Sequence, residues 1–407
     1  MHILLIHQAF ATVDEPGGTR HHELARILAQ KGHSVTIIAS PISYLTGKAT
    51  PSHKKTVHED GITIYRVYTY PAMHRSFFHR LVSFFSFMNS SFFHTLRVRR
   101  VDVVWGTSPP IFQAFTAWLV ARLKRVPFVF EVRDLWPAFA IGVGVLRNRF
   151  IIKLSEWLEH FLYCHADAVI VNSPGFIHHV RQRGAKSVFL VPNSVDTGMF
   201  PLDENGSAFR DQHQLHGKFL VFYTGAHGMS NDLPVLIEAA NQLRQMEDIH
   251  FVLIGDGKEK PALMELAQEK GLKNISFLPP IEKKDMGQAL CAADCCIAIL
   301  KPIELYKTTY PNKVFDYMAA GKAIILVIDG VIREVVEDAG CGIFAQPGDA
   351  DAVAHAIQTL HASPRECKDM GLRGRVYVEQ HFNRQQTAEQ LVEVFQKVVK
   401  NKWPKKF

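Results

Sequence analysis

The chain has 407 residues, 47% hydrophobic and 21% charged, which is too long for one core and ordinary for a soluble protein of two domains of roughly 200 residues each. No apolar run approaches the about 20 residues that span a bilayer, and the start, MHILLIHQAF, lacks a basic segment and a small-residue cleavage site, so it reads as a first strand. Charge divides unevenly: residues 1–200 hold 22 Lys+Arg against 12 Asp+Glu (+10) and residues 201–407 hold 24 against 27 (−3), so the first half is expected to face an anionic partner.

In chain order, HILLIHQAF is a continuous apolar strand. A Gly loop ending in PGGTR (16–20) and an amphipathic helix, HHELARILAQKG, follow, and then a second strand, SVTIIAS. The stretch 74–100 has seven phenylalanines, and from 61 to 101 there is no Asp or Glu while Arg occurs at 66, 75, 80, 97, 99 and 100. Apolar residues at 77, 81, 84, 85, 88 and 92 follow helical spacing, and a helix lying in the interface of an anionic membrane accounts for both stripe and charge. VDVVWGTS, VPFVFEVRD, DAVIVNS and SVFLVPN continue the β–α alternation, with Arg133 and Asp134 of EVRDLWP at a strand's carboxyl end. A polar, Gly/Pro-punctuated linker is expected near 198–218.

The second half opens like the first, with FLVFYTGAHGMSN (219–231), a helix and HFVLIGDG; NISFLP, DCCIAIL and AIILVI follow. Strands buried on both faces and separated by helices predict an α/β protein of two doubly wound parallel sheets, with a cleft between their carboxyl ends. TGAHG (224–228) and GDG (255–257) stand at strand ends, where each is a plain tight turn or a phosphate contact. The dinucleotide fingerprint and the P-loop are absent. In TTYPNKVFDYMAAGKAII (308–325), Asn312 is read as an N-cap and Gly321 as a C′ glycine of a short, otherwise apolar helix. Its Lys313 and Asp316 either complement the helix dipole or hold a charged ligand. A buried ammonium and a buried carboxylate both need partners, and a ribose diphosphate supplies both. Asp349-Ala350-Asp351 is read as a helix cap. The histidine pairs 21–22 and 178–179 are read as polar-face residues, and the six cysteines (164, 291, 295, 296, 341, 367) as reduced thiols, so no metal is assigned. The last helix, TAEQLVEVFQKVVKNK, ends in the basic tail KKF.

YTGAHGMSNDLPVLIEAA, FVLIGDGKEKPALMELAQEKGLKNISFLP, PNKVFDYMAAGKAII and GCGIFAQPGDADAVAHAI resemble the donor domain of the family-4 retaining glycosyltransferases of GT-B architecture. PGGTRHHELARILAQKGHSVTIIAS, EVRDLWPAFAIGVGVL and VPNSVDTGMF resemble the same family, and RDLWP looks most like enzymes of O-antigen and capsule clusters, including L-fucosaminyl (N-acetyl-L-fucosamine) transferases. The resemblance implies two Rossmann-like domains facing across a cleft: an acceptor domain over 1–200, with the terminal helix 385–407 packing back on it, and a donor domain over 215–384. Asp316 matches the second acid of the family's Glu-x7-Glu motif, which binds the ribose hydroxyls; Thr308 stands where the first acid would be. Lys313 becomes the cation for the leaving diphosphate. The loop Gly225, His227, Gly228, with Gly255 and Gly257, is expected to meet the donor through backbone N–H groups and the imidazole. Gly17 and Gly18 match the acceptor-side Gly loop. Asp134 is expected to orient or deprotonate the acceptor, with Arg133 an acceptor-phosphate contact or a structural partner.

The expected activity is transfer of a sugar, N-acetyl-L-fucosamine or a related amino sugar, from a UDP-sugar to a polyprenyl-pyrophosphate-linked acceptor. No cofactor, metal or nucleic acid is implied. The expected location is the inner face of the cytoplasmic membrane, as a cytoplasmic peripheral protein held through 74–100. Two alternatives stand beside it: a UDP-sugar 2-epimerase on the same plan, and a non-catalytic nucleotide-sugar-binding protein.

Overall fold

A computed structural model describes the chain apart from residues 44–45, 50–55, 60, 72–74, 203–205 and 403–407. The first residue of the stretch 74–100 and the tail KKF lie outside the described residues. Contacts divide the chain into two units, Met1–Pro192 with Arg384–Phe407, and Asn193–Asn383.

The first unit holds an eight-stranded sheet in the order β3-β4-β2-β1-β5-β6-β7-β8. The strands are β1 (His2–His7), β2 (Ser34–Ala39), β3 (Thr56–Glu59), β4 (Ile62–Arg66), β5 (Val103–Ser108), β6 (Phe128–Val132), β7 (Ala168–Val171) and β8 (Val188–Leu190). All neighbours are parallel except the β3–β4 hairpin at one edge, and β1 lies between β2 (Ile3 beside Val35) and β5 (Ile3 beside Val103). The helices are α1 (Arg20–Gln30), α2 (Phe77–Arg97), α3 (Ile111–Lys124), α4 (Ala138–Gly142), α5 (Arg149–His165) and α6 (Phe176–Gln182).

The second unit's sheet runs β11-β10-β9-β12-β13-β14, all parallel. Its strands are β9 (Phe219–Thr224), β10 (Ile249–Ile254), β11 (Ile275–Leu278), β12 (Cys295–Ile299), β13 (Ala323–Val327) and β14 (Gly342–Phe344). Its helices are α7 (Ser207–Gln212), α8 (Pro234–Gln242), α9 (Lys260–Glu269), α10 (Lys283–Cys291), α11 (Asn312–Ala319), α12 (Val331–Asp338), α13 (Ala350–Ala362) and α14 (Pro364–His381). A last helix, α15 (Arg384–Lys402), returns to the first unit.

Helices cover both faces of each sheet, which is why β1, β5, β9 and β12 are buried nearly from end to end and show no alternation. In each sheet the strand order reverses beside the first strand, between β1 and β5 and between β9 and β12. That switch point opens a crevice at the carboxyl ends of the strands. α15 completes the first core: Ala388, Leu391 and Phe395 pack with Ile3, Leu5 and Leu24, and Arg384 meets Glu23 at 2.9 Å.

The stretch 198–218 is not a linker. Phe200 and Leu215 are buried in the second unit's core, and the chain passes between units at Pro192–Asn193. Local polarity around them concealed the two anchors.

Candidate active site

In the second unit, β9 ends at Thr224 and the chain turns through Gly225 at φ 138°, a conformation that favours glycine. Across from it stands Lys313, in the first turn of α11. Its Nζ is buried with no hydrogen-bond partner, 3.9 Å from the centroid of the Tyr223 ring. Burial lowers its pKa to about 7. A cation in the first turn also opposes the helix dipole, so an anion is the missing partner at this spot. His227 is fully buried, and neither ring nitrogen has a partner. Burial, and then the charges of Lys260 and Lys313, push its pKa down to about 4. Lys313, His227 and Gly225 therefore gather at one loop end, as the sequence predicts.

Asp316 departs from the sequence reading in two ways. α11 begins at Asn312, whose side chain caps nothing, so Asp316 lies beyond the first turn and does not serve the dipole. Its carboxylate is paired with Lys283 of α10 at 2.6 Å. Lys283 was not singled out from the sequence; the only signal was the run IEKKD at a helix start. Gly321 does end the helix, at φ 63°. Tyr317 ties α11 to the sheet, its hydroxyl accepting from the Thr224 N–H at 2.9 Å.

Gly255 and Gly257 have a packing reason. A Cβ on Gly255 would lie 1.8 Å from the Gly225 carbonyl oxygen, and one on Gly257 would lie 2.4 Å from that of His227. The two loops interlock, with the Gly225 N–H donating to Ile254 O at 3.0 Å and the His227 N–H to Asp256 O at 2.8 Å. Gly228 opens the 3-10 turn Met229–Asn231 and has space around its Cα. Thr308 turns inward, its hydroxyl donating to Leu305 O at 2.6 Å. A cavity of about 600 Å³ lies beside α10, lined by Phe209, Ile254, Leu278, Ile281 and Asp285 among others; none of the residues predicted to bind the donor lines it.

In the first unit, Gly17, Gly18, Arg133 and Asp134 line one cavity of about 410 Å³, with Phe10, Glu15 and Lys48. Arg66 pins the loop before the glycines: it donates to both Glu15 oxygens at 2.8 Å and to Ser40 O at 2.8 Å. A Cβ on Gly18 would meet nothing within 4 Å, so this backbone stands open to the cavity. Arg133 is a structural partner. Its guanidinium donates to Thr107 Oγ1 at 3.0 Å, Ser108 O at 3.2 Å and Pro109 O at 3.0 Å. Asp134 is pushed up to about 6 by burial, against the charge of Arg133, which sets a carboxylate to exchange protons near neutral pH.

The first unit also holds a buried polar cluster that the sequence reading missed. Glu131 on β6 accepts from Arg20 at 3.2 Å and pairs with His21 Nε2 at 2.5 Å; all three are buried. Burial outweighs Glu131 and lowers His21 to about 4, so at neutral pH the imidazole is uncharged and donates to the carboxylate. The His7 ring lies tilted against that of His21, centroids 4.4 Å apart, with both of its nitrogens unpartnered. His21 and His22 are therefore not polar-face residues: the whole first turn of α1 is buried. His179 pairs with the buried Glu159 at 2.9 Å. Asp349 caps α13, accepting from the Ala352 N–H at 3.0 Å, and the six cysteines are free, five of them buried.

Two family models cover most of the chain. "Glycosyl transferase 4-like domain" matches residues 17–194, and "Glycosyl transferases group 1" matches 218–363. WcaI of Escherichia coli K12, named as a colanic acid biosynthesis glycosyl transferase, is 25% identical over 91% of this chain and 93% of its own. O-antigen chain mannosyltransferase C of Escherichia coli is 19% identical over 62% and 65%. Among solved structures, sucrose-phosphate synthase from Thermosynechococcus elongatus superimposes with TM-score 0.78 at 18% identity over 97% and 98% of the two chains. Anabaena HepE in complex with UDP and glucose superimposes with TM-score 0.72 at 16% over 98% and 100%. With a parallel-sheet Rossmann-like unit in each half, the chain belongs to the GT-B glycosyltransferases, its first domain of the glycosyl transferase 4-like kind and its second of group 1.

Proposed function

We propose that this glycosyltransferase takes its sugar from a UDP-sugar and passes it, with retention of configuration, to a lipid-linked saccharide in O-antigen or capsule synthesis. The sugar is N-acetyl-L-fucosamine or a related amino sugar. The carrying observation is Lys313: a buried, unpaired ammonium beside Gly225, one helical turn before Asp316. A diphosphate on Lys313 and ribose hydroxyls on Asp316 satisfy both groups, the second by displacing Lys283. HepE, which shares the fold, was solved with UDP, and relatives carry names from colanic acid and O-antigen assembly.

In the reaction the donor's anomeric C–O bond breaks and the diphosphate leaves with the electron pair. The acceptor oxygen forms its bond on the same face and gives its proton to the diphosphate or to Asp134. Lys313 stabilises charge that grows as the bond breaks, so its effect falls on turnover more than on binding. The backbone at Gly18 and the loop held by Glu15–Arg66 position the acceptor group. No described helix is long and apolar enough to cross a membrane, so a lipid-linked acceptor is met by a peripheral protein on the cytoplasmic face, held through α2.

The test is UDP release across a panel of nucleotide sugars with and without lipid-linked acceptor. Acceptor-dependent release is expected; an epimerised sugar made without acceptor would mark the alternative. Calorimetry on Asp316→Ala should show UDP binding weaker by about 2–4 kcal/mol, the scale of charge-assisted hydrogen bonds left unmade, and unchanged affinity would remove the ribose from Asp316.

A further inference from the structure

α2 packs on α3 and α3 on α5. The outer side of this layer is apolar and basic over a larger area than the sequence stripe of α2 reveals. On α2, Phe78, Phe85 and Phe93 are 70%, 52% and 55% exposed; on α5, Phe150, Leu154 and Trp157 are 75%, 53% and 57% exposed. Positions 150, 154 and 157 follow i, i+4, i+7 and so share one side of α5. Half-buried rings join the two edges: Phe85 meets Phe112 of α3 at 5.3 Å, while Trp118 of α3 meets Phe161 of α5 at 4.8 Å, and Phe161 meets Trp157 at 5.5 Å. From 61 to 155 the sequence holds 13 Lys+Arg and only three acids, Asp102, Glu131 and Asp134. Of these, Glu131 is buried and Asp134 lines the acceptor cavity. The two acids of α5, Glu156 and Glu159, share Arg183 as a partner, at 3.3 and 3.2 Å.

We infer that α5 is a second membrane anchor, Phe150, Leu154 and Trp157 entering the interface of an anionic bilayer beside Phe78, Phe85 and Phe93 of α2. The inference rests on the membrane-bound acceptor of the proposed function and deepens it. Exposed aromatics among many cations and few acids match a headgroup region, where Trp is favoured and cations meet anionic lipid. A second copy of the chain is disfavoured as occupant, because two such basic faces repel. The face also reaches the acceptor side: Phe112 touches Trp136 at 6.0 Å, and Trp136 lies two residues beyond Asp134. A lipid-linked substrate anchored against this layer therefore presents its head to the cavity of Asp134.

The experiment is flotation of the full chain with phosphatidylcholine vesicles containing or lacking phosphatidylglycerol. Wild type is expected to float only with the anionic lipid. Combined Phe150→Ser, Leu154→Ser and Trp157→Ser, and separately Phe78→Ser, Phe85→Ser and Phe93→Ser, should each lower partitioning roughly tenfold or more. Unchanged UDP titration shows that both sets fold. An α5 variant that floats like wild type overturns the inference. So does a wild type that ignores vesicles but sediments as a dimer dispersed by the α5 changes. Transfer to an acceptor in detergent separates the two readings: flotation lost as expected with no transfer from any nucleotide sugar refutes the proposed function alone, and transfer without flotation refutes the anchor alone.

Discussion

The Lys313 ammonium is buried without a hydrogen-bond partner. In the unfolded chain a lysine titrates near 10.4, whereas in the fold Lys313 does so at about 7. Between those values the unfolded state binds more protons, so this group makes stability rise with pH across that window, and its cost is fully present below pH 7. Lys313→Met should therefore raise the melting temperature of the unliganded protein at pH 6–7 more than near pH 10, while removing most of the stabilisation that UDP confers; equal gains at both pH values would contradict a buried unpaired ammonium. UDP binding near neutral pH should also take up a fraction of a proton, read as a dependence of calorimetric heat on the buffer. Burial raises Asp134 to about 6, above an ordinary aspartate. As a base it must be ionised, so transfer should rise as pH passes about 6. Asp134→Asn should flatten that limb and cut transfer about 10²-fold with UDP affinity intact. A normal rate in the Asn variant would reduce Asp134 to a support of its loop.

Among the elements, α2 has two faces that composition alone merges. Ser83, Phe87, Ser91 and Thr95, spaced by four, point into the protein and are fully buried, and Phe84 joins them beside Ile42. Small hydroxylated residues let the helix approach closely: the Ser91 and Thr95 hydroxyls donate to the carbonyls of Met88 and Phe92, and that of Ser83 accepts from Gln8 Nε2 at 3.4 Å. Phe84 and Phe87 are thus core residues, not membrane contacts. Phe87→Ser should cost about 3–5 kcal/mol of stability in denaturant unfolding, while Phe85→Ser on the outer face should stay within about 0.5 kcal/mol. Similar losses for the two would mean that the inward and outward faces are misassigned.

At the scale of the whole molecule, α15 is the decisive segment, because it belongs to a unit whose other residues end 192 positions before it starts, at Pro192. Ala388, Leu391, Val394, Phe395 and Val398 are buried in the first unit's core. Burying four such large side chains is worth roughly 6–12 kcal/mol, comparable to the whole stability of a domain. Truncation after Asn383 should leave the first unit open to limited proteolysis while residues 193–383 stay resistant, and a truncated chain with wild-type resistance throughout would contradict this account.

The sequence by itself determined the class of fold, because unbroken apolar strands alternating with amphipathic helices have one stable packing, helices on both faces of parallel sheets. It also singled out residues that the fold brings together: Gly225, His227 and Lys313 in one unit, Gly17, Gly18 and Asp134 in the other. Those signals are local, written in glycine, helix starts and hydrophobic period. Partners are not local, and the tertiary structure alone decided them. Lys283 meets Asp316 across 33 residues, His21 meets Glu131 across 110, and Arg384 meets Glu23 across 361. For the same reason Arg133, expected as an acceptor-phosphate contact or a structural partner, is found donating to backbone carbonyls more than 20 residues away, and Gly255 and Gly257 answer to a neighbouring loop's backbone. A buried charge or a missing side chain is explained by whatever stands opposite it, and which residue stands opposite is settled only when the strands have paired and the helices have packed.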